Sequence, residues 1–462
     1  MRRGPSHRSS EAASSSRLIY SRPLSHKKPR GARPEASPMT RGTIRKETLP
    51  NGITLLTERM PHVRSVTLGI WLRRGSRDEP PSLNGASHFI EHLVFKGTET
   101  RSSREIALAV DSIGGQMDAF TSKEYTCFYA KVLDDHVQDA VELLSDIVLR
   151  PLFDATELER ERKVIVEEIR MVEDAPEELV YDMFSTHFYP GHALGRPIQG
   201  TEGTVGGLSR KRLLDYFRDN YVPANILIVA TGNVGHKELA RLLAKTFGRM
   251  PRGRKGTPAG RAPRTRGGIV TCPKKELEQL HLLMGVPAFP EGHAQRYPLF
   301  VLNALLGGTM SSRLFQKVRE ERGLAYSVYS AVNSFRDSGV LMVYAGTSPD
   351  KGDELLSVVR DELCDLHDKG PSAHEVDVAK EHLKGSLMLS LESTSSRMSN
   401  LARQEMYHRR TFSMEEILLR LDRVTRAEVH RMARRVFRPG TPALAAVGRT
   451  RALKAIRSGF SL

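Results

Sequence analysis

Three side chains in one short stretch could hold and use a metal ion. His88, Glu91 and His92 form the pattern H-x-x-E-H, the inverse of the H-E-x-x-H zinc signature. In a helix, His88 and His92 lie one turn apart, so both imidazoles face one side and can reach one ion. The Glu91 carboxylate lies on nearly the same face and can reach a water molecule at that ion. Such a site needs a third protein ligand and an open fourth position.

The stretch around these residues has the composition of a packed helix. Ser87 or Asn84 can cap its start, and apolar residues flank the chemical ones: Phe89, Ile90, Leu93 and Val94. A second, acidic helix is predicted over residues 154–172, and its carboxylates could supply the third ligand. The adjacent Glu167 and Glu168 are the candidates there. Because neighbouring helical residues point about 100° apart, only one of the two can face the metal.

This set of motifs resembles the pitrilysin/insulinase family of zinc metallopeptidases, specifically its two-domain, processing-peptidase-like branch. The resemblance covers about residues 43–448 and implies one Zn²⁺ per chain, held by His88, His92 and Glu168. It also implies that Glu91 is the general base. Glu161, seven residues before the third ligand, matches a further family glutamate that assists within the site. The alternative for Glu161 is a solvated charged face shared with neighbouring basic residues.

The resemblance also implies contacts to a peptide substrate. Residues 118–121 are expected to form an edge strand beside the metal, where Ala119 and Phe120 bind an extended peptide as an added strand. The alternative is an ordinary sheet edge. Further along, Arg319 and Tyr326 match an arginine and a tyrosine that bind the substrate carbonyl near the scissile bond. Their alternative roles are a local ion pair for the arginine and a core position for the tyrosine.

The chain repeats its own pattern. Matching helices begin at residues 157 and 375, which are 218 residues apart, and matching strands end at residues 232 and 448, which are 216 apart. These offsets indicate an internal duplication. The predicted fold class is therefore α+β, with two homologous domains that are each a sheet flanked by helices. The second copy has no H-x-x-E-H, because its corresponding helix carries Tyr297, Leu299 and Phe300.

Composition divides the chain into four parts. Residues 1–42 are a basic tail that is expected to be disordered, and residues 43–248 are an N-terminal zinc-binding domain. Residues 249–268 are a Gly/Pro/Arg linker, and residues 269–462 are a C-terminal non-zinc domain. Of the net charge of +16, residues 1–46 contribute +10 and residues 249–266 contribute +7, so the remaining chain is close to neutral. This distribution argues against a nucleic-acid-binding fold.

The sequence also constrains the location of the protein. Three widely spaced cysteines fit a reducing compartment, and no apolar run approaches the roughly 18 residues of a membrane span. The Arg- and Ser-rich tail resembles a mitochondrial transit peptide in composition, but its prolines argue against the amphipathic helix that such peptides form. A solvated tail, or an over-extended start before Met39, is the favoured explanation. We therefore expect a bacterial-type cytoplasmic protein, with the mitochondrial matrix as the alternative.

The predicted function is that of a zinc metalloendopeptidase that cleaves unfolded or short polypeptides. Four-domain relatives enclose the peptide and supply the arginine and tyrosine from the half opposite the zinc. A chain with two domains is therefore expected to form a dimer, in which Arg319 and Tyr326 of one chain serve the zinc of the other. Peptide substrates and a second copy, or a related chain, are the expected partners. The alternative function is a non-catalytic scaffold or peptide-binding subunit.

Overall fold

Two β-sheets, one in each half of the chain, organise the residues that the computed structural model describes. These are residues 43–252, 262–440, 442–453 and 460–462. The predicted disorder of the tail at 1–42 lies outside them, as does the middle of the predicted linker, residues 253–261. We call residues 43–248 the N-terminal half and residues 268–462 the C-terminal half.

The sheet of the N-terminal half has six strands: β1 (Thr43–Thr48), β2 (Thr54–Arg59), β3 (Ser65–Leu72), β4 (Gln116–Thr121), β5 (Thr126–Leu133) and β6 (Ile226–Gly232). Their order across the sheet is β1-β2-β6-β3-β5-β4. Strands β2 and β6 are parallel and the other neighbours are antiparallel. The sheet therefore ends at β4, whose outer edge pairs with no strand in the described parts of the chain.

The sheet of the C-terminal half has five strands: β7 (Gly268–Pro273), β8 (Leu280–Ala288), β9 (Ala325–Ser334), β10 (Gly339–Thr347) and β11 (Ala443–Gly448). Their order is β7-β11-β8-β10-β9, in which β7 and β11 are parallel and the other pairs antiparallel. This is the order and direction of β2-β6-β3-β5-β4. The identical topology confirms the predicted α+β fold with an internal duplication.

Helices of the same half cover one face of each sheet. In the N-terminal half these are α1 (Ala86–Leu93), α2 (Ser103–Ser112), α3 (Val137–Leu149), α4 (Ala155–Asp174), α6 (Glu202–Gly206), α7 (Arg210–Asn220) and α8 (His236–Thr246), with α5 (Pro176–Phe188) following α4. In the C-terminal half they are α9 (Arg296–Asn303), α10 (Gly352–Asp368), α11 (Ala373–Ser390), α13 (Met414–Asp422) and α14 (Arg426–Val436), with α12 (Thr394–His408) following α11. Helix α9 continues as a π-helix to Gly308, and a second π-helix spans Phe315–Glu320.

The two halves exchange equivalent helices, α5 and α12. Helix α5 packs its Phe184 and Phe188 against β8 and β11 of the C-terminal sheet. Helix α12 packs its Met398 and Leu401 against β3 and β6 of the N-terminal sheet, and the Trp71 Nε1 atom donates a hydrogen bond to Met398 Sδ at 3.0 Å. Because burying each large apolar side chain stabilises the fold by about 1.5–3 kcal/mol, each half depends on the other for its core.

In the described parts of the chain, no helix is both long enough and apolar enough to cross a membrane.

Candidate metal centre

Helix α1 presents the H-x-x-E-H side chains because its apolar residues are buried. Phe89, Ile90 and Leu93 are at most 1% exposed and belong to the core of the N-terminal half. Their burial leaves His88 and His92 on the opposite face, where the two ring centroids are 4.7 Å apart. The predicted helix and the shared face of the two imidazoles are thus both present.

The start of α1 differs from the prediction. Neither Ser87 nor Asn84 caps it: the helix begins after Gly85, whose φ of 97° is left-handed and which gives no side-chain cap. Instead the buried Glu79 carboxylate accepts hydrogen bonds from the backbone N–H of Gly85 at 2.8 Å and of Ser87 at 2.7 Å. An acidic group at a helix N-terminus accepts hydrogen bonds from the free N–H groups and interacts favourably with the helix dipole. Burial raises the pKa of Glu79 to about 7, against the lowering effect of these hydrogen bonds.

Helix α4 carries the acidic residues of the site. The Asp154 side chain caps its N-terminus by accepting hydrogen bonds from two backbone N–H groups. Leu158, Ile165 and Ile169 anchor the helix in the core. Of the two adjacent candidates, Glu168 faces α1, whereas Glu167 points outward and pairs with Arg170 at 2.6 Å. The structure therefore separates two residues that spacing alone left equivalent.

His88, His92 and Glu168 form one cluster. Their candidate ligand atoms all lie within 4.8 Å of one another. The Oε2 atom of Glu168 is 3.8 Å from Nε2 of His88 and 3.6 Å from Nε2 of His92. In the described parts of the chain, this is the one group of three or more histidine, cysteine or acidic side chains with metal-ligand spacing.

The donor set of this cluster fits zinc. Ligand atoms around a tetrahedral Zn²⁺, each at about 2.0–2.2 Å, are about 3.4 Å apart, close to the two distances from Glu168. Burial and the neighbouring His92 lower the pKa of His88 to about 4, so its imidazole is neutral, as a metal ligand must be. Two imidazoles and one carboxylate are also the ligands of open, catalytic zinc sites.

Glu161 contacts the ring of His92 at the nitrogen that is directed away from Glu168. Its side chain is only 7% exposed, and its Oε2 atom is 3.1 Å from His92 Nδ1. Because a carboxylate accepts hydrogen bonds, this contact places the proton on Nδ1 and leaves the Nε2 lone pair directed at the cluster. The Lys96 ammonium lies 2.9 Å from Glu161 Oε1 and balances its charge. The contacts of Glu161 are therefore those of a positioning residue.

The side chain of Glu91, a residue of α1, contacts the edge strand β4. The Thr121 hydroxyl of β4 donates a short hydrogen bond to Glu91 Oε2. Burial raises the pKa of Glu91, and the hydrogen bond from Thr121 opposes that rise. A carboxyl group with a raised pKa is suited to exchange protons near neutral pH.

Three of the four predicted substrate residues lie in edge strands of the two sheets, and Arg319 lies in the π-helix Phe315–Glu320. Ala119 and Phe120 are in β4, next to α1, with Ala119 on the metal side of the sheet and Phe120 on the other side. Tyr326 is at the start of the edge strand β9 and is 81% exposed, so it is not a core residue. Arg319 stacks on its ring, 4.7 Å from the centroid. Within the described ranges, no hydrogen bond, ion pair or ring contact joins this pair to the His–His–Glu cluster.

Sequence reasoning missed three residues of the site. Glu79, Lys96 and Thr121 respectively hold the start of α1, neutralise Glu161 and orient Glu91. Lys96 could have been found, because it is only four residues after His92 in sequence. Thr121 lies 30 residues from Glu91 in sequence, and Glu79 lies six and eight residues before the N–H groups it binds, outside the periodicity of α1.

Comparisons with known proteins agree with this fold. A family model described as insulinase (peptidase family M16) matches residues 54–202, and one described as the peptidase M16 inactive domain matches residues 207–383. The first range contains the His–His–Glu cluster, and the second contains Arg319 and Tyr326.

Close relatives come from bacteria. An uncharacterized zinc protease of Bacillus subtilis, YmxG, is 44% identical over 394 residues, which cover 85% of this chain and 96% of that protein. An uncharacterized zinc protease of Streptomyces coelicolor is 41% identical over 413 residues, covering 88% and 90%. A protease from Helicobacter pylori shares the fold with a TM-score of 0.82 at 20% identity, covering 88% of this chain and 99% of that one. A chain of complex III2 from Candida albicans also shares the fold, with a TM-score of 0.78 at 20% identity, covering 90% of this chain and 98% of that one.

Fold and cluster together define a duplicated metallopeptidase-type chain with a candidate metal centre in one half. The chain belongs to the insulinase family of peptidases, family M16. Its relatives are named zinc proteases, which agrees with the chemistry of the donor set.

Proposed function

We propose that the protein is a zinc-dependent endopeptidase that cleaves unfolded or short polypeptides. The observation that carries this proposal is the convergence of His88, His92 and Glu168, from two helices, on one point. The names of the relatives support zinc as the ion. We propose one ion per chain, because the C-terminal half has Tyr297, Leu299 and Phe300 on the counterpart of α1.

Each residue around the cluster has a separate role in the proposed reaction. A bound zinc ion supplies Lewis acidity, which activates water and polarises a carbonyl group. Glu91 takes the proton of the attacking water at its carboxylate and then delivers it to the leaving amine. Thr121 holds that carboxylate in place, and Glu161 holds the His92 ring in the orientation that a ligand needs.

The free edge of β4 is the proposed binding place for the peptide. Its unpaired N–H and C=O groups can form a ladder with an extended segment, which places the peptide backbone beside Glu91. Only a chain without competing structure can add such a strand. This requirement supports unfolded or short polypeptides as substrates.

The test of the function is cleavage of an unstructured peptide of about 20 residues by the purified full chain. Cleavage should disappear after treatment with a zinc chelator and return when Zn²⁺ is restored in stoichiometric amount. Mass spectrometry of the products identifies an internal cut. If the zinc-loaded chain binds the peptide without cleaving it, the protein is a non-catalytic peptide-binding subunit and the proposal is wrong.

We further propose a homodimer in which Arg319 and Tyr326 of one chain serve the metal centre of the other. Two observations support it: Tyr326 is 81% exposed, and in the described residues the pair has no contact with the cluster of its own chain. Both side chains can donate hydrogen bonds to a developing oxyanion. The bacterial origin of the relatives supports the cytoplasm over the mitochondrial matrix as the location.

Mixing two inactive variants tests this sharing of residues. Equal amounts of Glu91→Gln and Tyr326→Phe chains, allowed to exchange, should recover about a quarter of wild-type activity, because half the dimers are mixed and each has one intact site. The measurement is peptide cleavage as a function of the mixing ratio, with a maximum at equal amounts. Activity that never exceeds the sum of the separate variants would place both residues in the same chain as the metal they serve.

A further inference from the structure

A cavity of about 550 Å³ lies on the side of β4 that faces away from the metal centre. Both halves contribute to it: β4 and β5 provide one wall, α12 another, and α9 a third. Its lining residues are Phe120, Tyr129, Glu291, Phe300, Ser395, Ser396, Met398, Ser399, Asn400, Arg403, Gln404 and His408. Its volume falls in the range of about 300–1,000 Å³ that is usual for ligand pockets.

The alternation of side chains along β4 relates this cavity to the metal centre. Thr121 points toward α1, where it hydrogen-bonds Glu91, and Ala119 packs on the same side. Phe120 points to the opposite side, where it contacts Trp71 with ring centroids 5.6 Å apart and lines the cavity. The edge of β4 therefore has the proposed chemistry on one side and the cavity on the other.

A peptide added to β4 as a strand must alternate in the same way. Its odd and even side chains point to opposite sides of the sheet, so every second one is directed away from the metal. We propose that the cavity is a specificity pocket that accepts one large uncharged side chain, aromatic or aliphatic, of the peptide substrate and rejects lysine and arginine. This inference rests on the proposed endopeptidase function.

Aromatic and apolar side chains form part of the cavity wall. Phe120 and Tyr129 of the sheet face Met398 of α12 and Phe300 of α9. Burying a large apolar side chain against them is favourable by about 1.5–3 kcal/mol. A second cavity of about 210 Å³ adjoins this one. The two share Glu291, Phe300, Asn400, Gln404 and His408, and Leu383, Leu387 and Leu421 continue the apolar lining.

The part of the cavity lined by Arg403 and His408 lies in a region with an excess of positive charge. Four arginines surround His408: Arg296, Arg403, Arg410 and Arg420. Two carboxylates accompany them, with Glu291 pairing with Arg403 and Glu416 with Arg410 and Arg420. Burial and the four arginines lower the pKa of His408 to about 4, so its ring does not bind a proton at neutral pH. A basic substrate side chain would lose its hydration there and meet like charge.

The experiment uses peptides that differ at a single position. In a peptide with a mapped cleavage site, each of the four positions on either side is changed in turn to Phe, Gly or Lys, and kcat/KM is measured. Wild type should prefer Phe over Lys by roughly tenfold or more at one position, or at alternate positions, and not at their immediate neighbours. Equal preference at adjacent positions would overturn the inference, because a strand cannot direct both toward the cavity.

Filling the cavity gives the second part of the test. Ser399→Trp, on the cavity wall in α12, should lower kcat/KM for the Phe peptide roughly tenfold and leave the Gly peptide within about twofold. Ser386→Trp is the matched control, because Ser386 is exposed on α11 and lines neither cavity. An equal loss for both peptides would overturn the pocket assignment.

Arg403→Gln keeps the inference testable if the tryptophan variant does not fold. Removing this charge should raise kcat/KM for the Lys peptide several-fold relative to the Phe peptide at the sensitive position. The ratio of kcat/KM between the Phe and Gly peptides should stay unchanged. An unchanged preference against Lys would overturn the charge selection. If wild type cleaves none of the peptides, the endopeptidase proposal itself fails. If wild type cleaves all the peptides without a preference, the endopeptidase proposal stands and only the pocket assignment fails.

Discussion

Replacing Glu91 with Gln is expected to lower kcat/KM for peptide cleavage by about 10³-fold or more, with zinc still bound. The amide keeps the size of the side chain, but it cannot take a proton from water or return one to the amine. Glu91 is positioned for this role because it lies on the cluster side of α1 and accepts a hydrogen bond from Thr121. Its pKa is raised by burial, which places proton exchange closer to neutral pH.

The measurement compares kcat/KM and zinc content for Glu91→Gln and for a control, Glu99→Gln. Glu99 follows α1 and is exposed, so its replacement should change neither quantity. A Glu91→Gln chain that keeps its zinc and retains more than about a tenth of wild-type activity would show that another group moves the proton.

Replacing Glu168 with Gln is expected to weaken zinc binding by about 100-fold or more, since even residues that only support a ligand change metal affinity by about 10–100-fold. The change removes the negative charge and one of the three ligands, leaving His88 and His92 alone. The neighbouring Glu167→Gln is the matched control. Its carboxylate faces away from the cluster and pairs with Arg170, so zinc affinity should stay within about twofold of wild type.

Competition with a chromophoric chelator gives both affinities under the same conditions. The difference between two adjacent glutamates is what makes this test specific. Comparable losses in both variants would point to a general effect of charge on α4, and loss only in Glu167→Gln would mean that the third ligand has been assigned to the wrong residue.

The sequence was most informative where chemistry and periodicity coincide. The spacing of His88 and His92 predicts a shared helix face, and the burial of the apolar residues between them produces it. For Glu168 the spacing left two candidates, and the family resemblance chose between them. The predicted cap of α1 was wrong because the helix starts after a left-handed glycine, and Glu79, six residues before that glycine, binds the free N–H groups in place of a capping side chain.

The exchanged helices explain a second limit of prediction. An amphipathic pattern tells which face of a helix is apolar, but not which sheet that face covers. Helices α5 and α12 each lie within the sequence of their own half, yet each packs on the sheet of the other half. The contribution of α12 to the cavity beside β4 follows from this exchange and could not be predicted from the sequence.

The duplication gives the two halves different roles on one topology. The counterpart of α1 in the C-terminal half, α9, carries apolar residues in place of the metal-binding pair, and its Phe300 forms part of the cavity wall. We infer that the N-terminal half supplies the metal centre and the C-terminal half contributes to peptide selection.

A crystal of the zinc-loaded chain, measured on both sides of the zinc absorption edge, answers most directly whether two imidazoles and a carboxylate share one ion. The anomalous difference map should contain a single strong peak per chain, about 2.0–2.2 Å from His88 Nε2, His92 Nε2 and a Glu168 oxygen. A zinc peak elsewhere in the chain, or a peak at the two histidines with Glu168 turned away, would contradict the proposed centre.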